Sequence, residues 1–562
     1  MFANTRTWTI PMILTMLLPT CGLGDSPAGP ATAPSGPAVI PRPASLEVKD
    51  GLFKIGPSTR VLADKEARAE AQKLIDALGP AMGFKLELAA PDTAAAVAIS
   101  AARVNTVALQ VDPLAKDSLG PEGYTLTVTA QQIVLRAAAP AGLFYAGQTL
   151  RQLLPPQVFS PAKVEGVAWT VPCVAVTDRP RFAWRGLLID PARNFIPVPD
   201  VLAFIDAMAL HKFNRLQMHL TDDQGWRIEI KKYPRLTEVG AWREQTLIGH
   251  VGRPPHKFDG KRHGGFYSQD DVRRMVAYAA DRHVTIMPEI EMPGHFRAAI
   301  SAYPNLGVFP DKQKGLRPWT IWGISPDILA PRPEGVQFCK DVLDEVIALF
   351  PSLHIHLGGD EAIKDQWKAS PEIQQMIREK GLKDEHELQA WFTRQIDEHL
   401  TRRGRRLVGW DEILQGGLAP GATVMSWRGT EGGITAARAG HDVIMAPHTD
   451  TYFDYYQGPA SAEPLAIGGN LPLAKVYAYE PVPAALSAEQ ARHILGSQAQ
   501  LWGEYIATAK HRQYMAFPRA CAFAEVVWSA KDGRDFAQFR QRLERHLKRL
   551  EAAGISFRPL KE

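Results

Sequence analysis

Two adjacent carboxylates, Asp360 and Glu361, are residues that could transfer protons. They follow the apolar-alternating run 354–357, which is typical of a short buried strand, and the pair Gly358 and Gly359. Because consecutive strand side chains point to opposite faces, both acids can serve one pocket only where the chain turns. The two glycines permit such a turn. The pattern therefore predicts a pair of acids at the mouth of a sheet or barrel.

Two other interpretations of this dipeptide are open from the local sequence. Asp-Glu pairs are common at solvated helix starts, where acids interact favourably with the helix dipole. A Gly-Gly-Asp-Glu run followed by Phe is typical of diguanylate cyclases, whereas Ala362 follows here. The secondary-structure elements around the two acids must distinguish these two interpretations from a catalytic site that acts on another class of substrate.

From Arg185 onward, short apolar runs alternate with helical stretches. The helical stretches include 269–282, which opens after the good N-cap Ser268, and also 335–350 and 385–403. Eight βα units predict an α/β fold with a closed parallel (β/α)8 TIM barrel, whose active site lies at the carboxyl ends of the strands. The eight predicted strands are 186–190, 215–220, 284–289, 354–357, 406–410, 423–427, 442–446 and 498–502.

Polar or aromatic side chains follow nearly every predicted strand. Trp410, Trp427 and Trp502 stand at equivalent positions on the fifth, sixth and eighth strands. One such Trp is more often part of a core, but three at equivalent positions indicate a shared cavity. Carboxylates bond hydroxyl groups and aromatic rings cover the apolar faces of a pyranose, so the set favours a sugar-binding cleft.

The length of 562 residues predicts at least two domains. Residues 38–178 are expected to form a small N-terminal α/β domain, and the catalytic barrel is expected to span 179–562. In the small domain the pattern predicts helices over 66–82 and 142–154 and strands over 95–100, 124–129 and 133–137. It contains no convergent polar cluster, so a structural role is expected for it.

Residues 1–37 are expected to be an export signal and linker. A short basic start, an apolar run over 8–18 and a Pro-, Ala-, Gly- and Ser-rich stretch after it fit export rather than a membrane span. Cys21 stands where a bacterial lipoprotein carries its lipidated cysteine, although Pro19 and Thr20 are atypical neighbours. We expect a bacterial periplasmic protein or an outer-membrane lipoprotein anchored at Cys21; free secretion is less favoured.

The composition disfavours several other classes of protein. The net charge is +4 with Lys and Arg spread along the chain, so nucleic acid is not an expected partner. Cys173, Cys339 and Cys521 are widely separated, and no Cys/His cluster, Gly-rich phosphate loop or Ser-His-Asp arrangement competes for the site. We therefore expect no metal and no cofactor.

The ordered motifs resemble the family 20 glycoside hydrolases, the β-N-acetylhexosaminidases. The resemblance covers about residues 38–555 and is specific because several motifs occur in the family's order. Glu291 departs from the common pattern, which has Asp there, and Asn194 stands where His is frequent. The matching segments are 184–190, 219–226, 288–295, 356–361, 409–412, 452–454 and 501–504.

The resemblance implies a retaining, substrate-assisted exo-hydrolase that releases terminal β-linked N-acetylglucosamine or N-acetylgalactosamine from an oligosaccharide or glycoconjugate. It implies that Glu361 is the general acid/base and that Asp360 orients the 2-acetamido group, which attacks the anomeric carbon to give an oxazolinium intermediate. Further implied roles are hydroxyl binding by Arg185, Asp454 and Glu504, donation to the acetamide by Tyr452, a pocket wall of Trp410, Trp427 and Trp502, and orientation of the acid by His295 with Asp222 or its neighbour Asp223.

A non-catalytic sugar-binding protein on the same barrel is the main alternative. Such proteins usually lose the acid, and this chain keeps it, so hydrolysis is favoured. The nucleotide cyclase is disfavoured by the barrel pattern and by the export signal.

Overall fold

The computed structural model describes residues 36–89 and 104–560. The predicted export signal, Cys21 and the strand expected over 95–100 lie outside the described residues. Among the helices that are described, none is both long and apolar enough to cross a membrane. The chain from Pro37 to Glu562 packs as one compact unit.

The N-terminal domain is a seven-stranded mixed sheet within the described residues. The predicted hairpin and both predicted helices are present in it; the hairpin strands are Tyr124–Val128 and Gln132–Ala137, paired antiparallel. Helices Arg68–Met82 and Pro140–Leu153 bury their apolar residues in this domain. The strand order across the sheet is Ser45–Lys54, Thr170–Asp178, Tyr124–Val128, Gln132–Ala137, Thr106–Val111, Arg60–Ala63 and Glu87–Leu88.

The predicted eight-stranded parallel barrel is confirmed. Its strands close in sequence order, with the eighth strand pairing with the first. Each strand is nearly continuous in buried residues, as expected where helices cover a parallel sheet. From first to eighth the barrel strands are Trp184–Ile189, Arg215–His219, Thr285–Glu289, His354–His356, Arg406–Trp410, Thr423–Ser426, Val443–Met445 and Ile494–Leu501.

Helices follow the strands and hold their carboxyl ends in place. The predicted N-cap Ser268 is confirmed, since its side chain accepts from the backbone of Asp271 in a reciprocal capping box. The main barrel helices are Val198–Leu210, Gln269–Asp281, Pro333–Leu349, Glu385–Arg402, Glu431–Arg438, Leu473–Ala478, Arg519–Trp528 and Phe536–Ala552.

Buried ion pairs join the N-terminal domain to the amino ends of the barrel strands. Arg185, in the first barrel strand, donates to both carboxylate oxygens of Glu122 at 2.7 and 2.9 Å. Lys212, just before the second strand, donates to Asp178 at 2.9 Å. Because buried charges are costly unless paired, these contacts fix the domain against the bottom of the barrel.

Candidate active site

A cavity of about 160 Å³ lies at the carboxyl ends of the barrel strands. Both predicted acids and most of the other predicted site residues line it, together with three residues that were not predicted to do so. Its lining is Arg193, Asp360, Glu361, Trp410, Trp427, Tyr452, Asp454, Tyr455, Ile467, Trp502 and Glu504.

The chain turns sharply between the fourth barrel strand and the two acids, as predicted. Gly358 and Gly359 have φ of 65° and 85°, and Glu361 has φ of 47°. A β-carbon on Gly358 would lie 1.7 Å from a carboxylate oxygen of Glu291, so any other residue there would have to displace this buried side chain as well as adopt a left-handed backbone. A left-handed backbone at a non-glycine residue such as Glu361 is uncommon and is typical of functional sites.

His295 links the acid pair to two buried aspartates. Its Nε2 lies 3.4 Å from Oε2 of Glu361 and 3.8 Å from Oδ2 of Asp360. Its Nδ1 lies 3.2 Å from Asp222 and 3.1 Å from Asp223, so both aspartates left open by the sequence contact the ring. Burial opposes the imidazolium, but the carboxylate of Asp222 raises the pKa of His295 well above its usual value.

The two acids have different surroundings. The Asp360 side chain is 13% exposed and that of Glu361 is 35% exposed, so Glu361 is the acid nearer to solvent. Burial and the negative charges of Glu361 and Glu289 raise the pKa of Asp360 to about 6, against the opposing effect of His295. Asp360 is therefore a carboxylate at neutral pH, and it can accept a hydrogen bond and stabilise positive charge.

Aromatic rings form the walls of the cavity. Trp427 stacks on Tyr452 with ring centroids 6.3 Å apart and an angle of 19° between planes. Trp410 and Trp502 meet at 5.8 Å. Burial raises the pKa of Tyr452 well above its usual value, so its hydroxyl is a neutral hydrogen-bond donor. Such rings can cover the apolar faces of a sugar.

The arginine in the cavity is Arg193, and the prediction that Arg185 binds hydroxyl groups is wrong. Arg185 is 0% exposed and paired with Glu122 at the opposite, amino end of the first barrel strand. Arg193 follows the same strand at its carboxyl end, where it pairs with Asp190 at 3.2 Å and Asp222 at 2.7 Å. Strand polarity therefore gives Arg193 the place that was expected for Arg185.

Asp454 and Glu504 also line the cavity. They follow the seventh and eighth barrel strands, whereas the two acids follow the fourth. Burial and the charge of Glu504 raise the pKa of Asp454 well above its usual value. Burial also raises the pKa of Glu504, although Arg193 opposes this. The carboxyl groups of Asp454 and Glu504 and the guanidinium of Arg193 can form several hydrogen bonds with a polyhydroxylated ligand.

Two buried glutamates at the end of the third barrel strand have opposite environments. Glu289 accepts hydrogen bonds from Gln217, His219 and Trp410 at 2.8, 2.7 and 3.0 Å. Burial opposes its ionisation, but His219 holds the pKa of Glu289 well below its usual value. Neither carboxyl oxygen of Glu291 has a hydrogen-bond partner among the described residues, and burial with the charge of Asp360 raises its pKa well above the usual value. The surroundings of Glu289 therefore favour its ionised form and those of Glu291 its neutral form.

Three groups of side chains here have the composition of a metal site. Each contains one histidine and two carboxylates: His219 with Glu289 and Glu291, His295 with Asp222 and Asp223, and His295 with Asp360 and Glu361. Glu289 raises the pKa of His219 to about 10 against the effect of burial, and Asp222 raises the pKa of His295 well above its usual value. Because a metal ligand needs a free ring nitrogen, these groups are better suited to proton-linked hydrogen bonding than to a cation.

A larger cavity of about 590 Å³ lies between the N-terminal domain and the barrel helices. Its charged walls are largely paired internally, since Lys73 bonds Glu70 at 2.9 Å and Arg282 bonds Asp206. It lies away from the carboxyl ends of the strands, and none of the predicted site residues lines it. The smaller cavity is the one in which acids, rings and hydroxyl-binding groups converge.

Several residues of the site were not predicted from the sequence. Tyr455 and Ile467 line the cavity from the long loop after the seventh strand, whose path has no local pattern. Glu412 accepts from Nε1 of Trp427 at 2.9 Å, and burial with the charge of Asp360 raises its pKa to about 8. Arg193 and Glu412 had a usable signal, since each lies just beyond the carboxyl end of a barrel strand.

A barrel with an acid pair at its strand ends and a cavity of carboxylates and aromatic rings defines a glycoside hydrolase. Two family models match the chain: "Glycosyl hydrolase family 20, domain 2" over residues 36–179 and "Glycosyl hydrolase family 20, catalytic domain" over residues 182–531. The chain belongs to glycosyl hydrolase family 20, the family of the β-hexosaminidases.

Similar proteins and solved structures support membership of this family. A β-hexosaminidase of Porphyromonas gingivalis is 44% identical over 528 residues, covering 93% of this chain and 65% of its own length. The crystal structure of a family 20 exo-β-N-acetylglucosaminidase of Vibrio harveyi with N-acetylglucosamine has TM-score 0.80 and 31% identity, covering 95% of this chain and 80% of that one. A β-N-acetylhexosaminidase of Streptomyces coelicolor has TM-score 0.79 and 30% identity, covering 93% and 98%.

Proposed function

We propose that this chain is an exo-acting β-N-acetylhexosaminidase that releases terminal, non-reducing β-linked N-acetylglucosamine or N-acetylgalactosamine from oligosaccharides or glycoconjugates. The observation that carries the proposal is the pair Asp360 and Glu361 at the end of the fourth barrel strand, both within 4 Å of His295. The cavity of about 160 Å³ is of the size of a single sugar ring, which favours release of one residue from a chain end.

In the proposed mechanism Glu361 protonates the oxygen of the leaving group as the glycosidic bond breaks. The substrate's own acetamide oxygen attacks the anomeric carbon and forms the oxazolinium ring, as family 20 is a substrate-assisted exception among retaining enzymes. Asp360 accepts the acetamide N–H and stabilises the positive charge that develops on the ring. Glu361, now a carboxylate, takes a proton from water, which attacks the anomeric carbon while the bond from that carbon to the acetamide oxygen breaks. The acetamide is restored and the product has retained configuration.

The remaining cavity residues hold the sugar in this mechanism. Tyr452 donates its hydroxyl hydrogen to the acetamide oxygen, and Trp410, Trp427 and Trp502 enclose the acetamido group and exclude water that would compete with it. Arg193, together with Asp454 and Glu504, bonds the sugar hydroxyls. The supporting geometry is their common place in the wall of one cavity.

Two aryl glycosides that differ only at the 2-position test this proposal. Hydrolysis of an aryl β-N-acetylglucosaminide, with little or no hydrolysis of the matching β-glucoside, is expected. NMR of the reaction should detect the β-anomer of N-acetylglucosamine first. Equal hydrolysis of the two glycosides, or first appearance of the α-anomer, contradicts the substrate-assisted mechanism.

We also propose that the protein is exported and anchored through Cys21, because an apolar run precedes a cysteine at lipoprotein spacing. Expression in a Gram-negative host should give a membrane-associated protein that incorporates labelled palmitate. The variant Cys21→Ser should lose both properties, and equal labelling of this variant contradicts the anchor.

A further inference from the structure

Glu289 contacts two side chains of the site, His219 and Trp410, which belong to different groups of residues. Its carboxylate is 0% exposed, at the end of the third barrel strand. One oxygen, Oε2, lies 2.7 Å from Nδ1 of His219. The other, Oε1, accepts from the indole Nε1 of Trp410 at 3.0 Å. A carboxylate fixed by donors on both oxygens can hold two side chains in a set relative position.

The contact with His219 continues to the acid. Nε2 of His219 lies 2.9 Å from Oδ2 of Asp222, and Oδ1 of Asp222 lies 3.2 Å from Nδ1 of His295. Nε2 of His295 then lies 3.4 Å from Glu361. Five charged or ionisable groups therefore form one unbroken series from Glu289 to the acid, and all except the last are buried.

The contact with Trp410 fixes a wall of the cavity. The indole is 1% exposed and meets the ring of Trp502 at 5.8 Å. Its Nε1–H has Glu289 as its acceptor, so the orientation of the ring depends on that carboxylate. A buried indole N–H that loses its acceptor costs free energy and favours a different ring position.

We propose that Glu289 is a positioning residue that sets the partner of the acid and the aromatic wall of the sugar cavity together. The inference rests on the proposed function and deepens it. The sequence predicted no role for Glu289 in holding either His219 or Trp410. If Glu289 had only a structural role, its replacement would lower the stability of the protein. It would change neither the dependence of the rate on the leaving group nor the affinity for the sugar ring.

The test uses the full-length chain and the variant Glu289→Gln. Two quantities are measured: the ratio of kcat/KM on an aryl β-N-acetylglucosaminide to that on a β-linked N-acetylglucosamine disaccharide, and the Kd of a thiazoline mimic of the oxazolinium. The ratio reports on protonation of a poor leaving group, and the Kd reports on the cavity wall. Both should rise about tenfold or more, the effect expected when a buried hydrogen-bond partner is lost.

Two control variants separate positioning from stability. Trp410→Phe removes the indole donor and reduces the ring but leaves the contact of Glu289 with His219 in place, so the Kd should rise while the ratio stays at the wild-type value. Glu525→Gln alters a carboxylate that is also 0% exposed and also receives several donors, from Arg542 at 2.7 Å and Tyr477 at 2.9 Å, outside the cavity. It should lower stability and change neither quantity. A wild-type ratio or a wild-type Kd in Glu289→Gln overturns the proposal.

Imidazole NMR separates this proposal from the function on which it rests. If the wild-type chain turns over neither substrate, the proposed function fails. The His219 ring should then still titrate at lower pH in Glu289→Gln than in the wild type, because Glu289 helps to raise the pKa of His219 to about 10. An unchanged titration of His219 overturns the positioning role whatever the activity.

Discussion

The imidazole of His295 lies 3.4 Å from Glu361 through Nε2, while its other nitrogen faces two buried aspartates. The ring is therefore a protonated link between a buried negative cluster and the acid at the edge of the cavity. This arrangement gives the acid a fixed place without burying it, since Glu361 itself is still 35% exposed.

Replacing the acid should separate substrates by their leaving groups. Glu361→Gln keeps the size of the side chain and removes its proton. We expect kcat/KM on a natural disaccharide to fall about 10²–10⁴-fold, the usual contribution of general acid catalysis. An aryl substrate whose leaving group needs no proton should lose much less. Equal kcat/KM of variant and wild type on the disaccharide would show that Glu361 is not the acid.

The activity should fall on the acid side with an apparent pKa near that of Asp360. Its pKa of about 6 means that the carboxylate predominates above this pH and the neutral acid below it. The neutral acid has no negative charge with which to stabilise the developing positive charge, so kcat/KM should decline as the pH drops through about 6. The profile of Asp360→Asn should be low and lack this limb. A wild-type profile that stays flat well below this pH contradicts the assignment.

The same carboxylate should cost the protein stability near neutral pH. Its folded pKa of about 6 exceeds the ordinary value of 3.8, so folding favours the protonated form and loses that advantage as the pH rises between these values. Asp360→Asn is always neutral and should therefore unfold at a higher temperature than the wild type at neutral pH. The difference should vanish near pH 4, which differential scanning calorimetry at two pH values measures. A variant that is less stable at both pH values contradicts this reasoning.

Gly358 should be far more sensitive to substitution than a glycine of the same backbone conformation elsewhere. Gly358 and Gly381 have φ of 65° and 64°, but a β-carbon at Gly381 meets nothing within 4 Å. Gly381→Ala should cost only the conformational penalty, about 1–2 kcal/mol. Gly358→Ala adds a clash with Glu291 and should cost more and also lower kcat/KM. Equal losses in denaturant unfolding would mean that Glu291 moves away freely.

Arg185 and Arg193 should differ in what they affect. Arg185→Met leaves Glu122 without its main partner and should lower the free energy of unfolding by about 3–5 kcal/mol, with KM unchanged while the protein is folded. Arg193→Lys loses the planar donor fork in the cavity and should raise KM about tenfold or more. Thermal unfolding and steady-state kinetics on both variants measure this contrast. A raised KM in Arg185→Met would instead support the prediction that Arg185 binds the sugar hydroxyls.

Most of the barrel could be predicted because its strands are short apolar runs with helical periods between them. The largest difference at the strand ends is in the eighth strand, which begins at Ile494 instead of residue 498, since Gly496 and Ser497 interrupt the apolar pattern. The acids and the three tryptophans were predictable because each lies at or shortly after the carboxyl end of a strand. Arg185 was misassigned because a motif match does not tell which end of its strand a side chain serves.

Contacts between distant residues could not be predicted from local sequence. The acceptor of the Trp410 indole is Glu289, and Glu412, after the fifth strand, accepts from Trp427, after the sixth. Nothing in the local sequence distinguishes Glu289 from Glu291, two positions apart on the same strand end. Their opposite environments depend on donors from two other strands, the second and the fifth, which the closed barrel brings together.

The ion pairs beneath the barrel mean that the catalytic half is not a module that can be trimmed out. Without the N-terminal domain, Arg185 and Lys212 would lose Glu122 and Asp178, and two cations at the strand bases would have no counter-charge. A chain shortened to its barrel should therefore fold poorly although it retains every residue of the cavity. The smaller domain neutralises these two cations at the end of the barrel opposite the cavity.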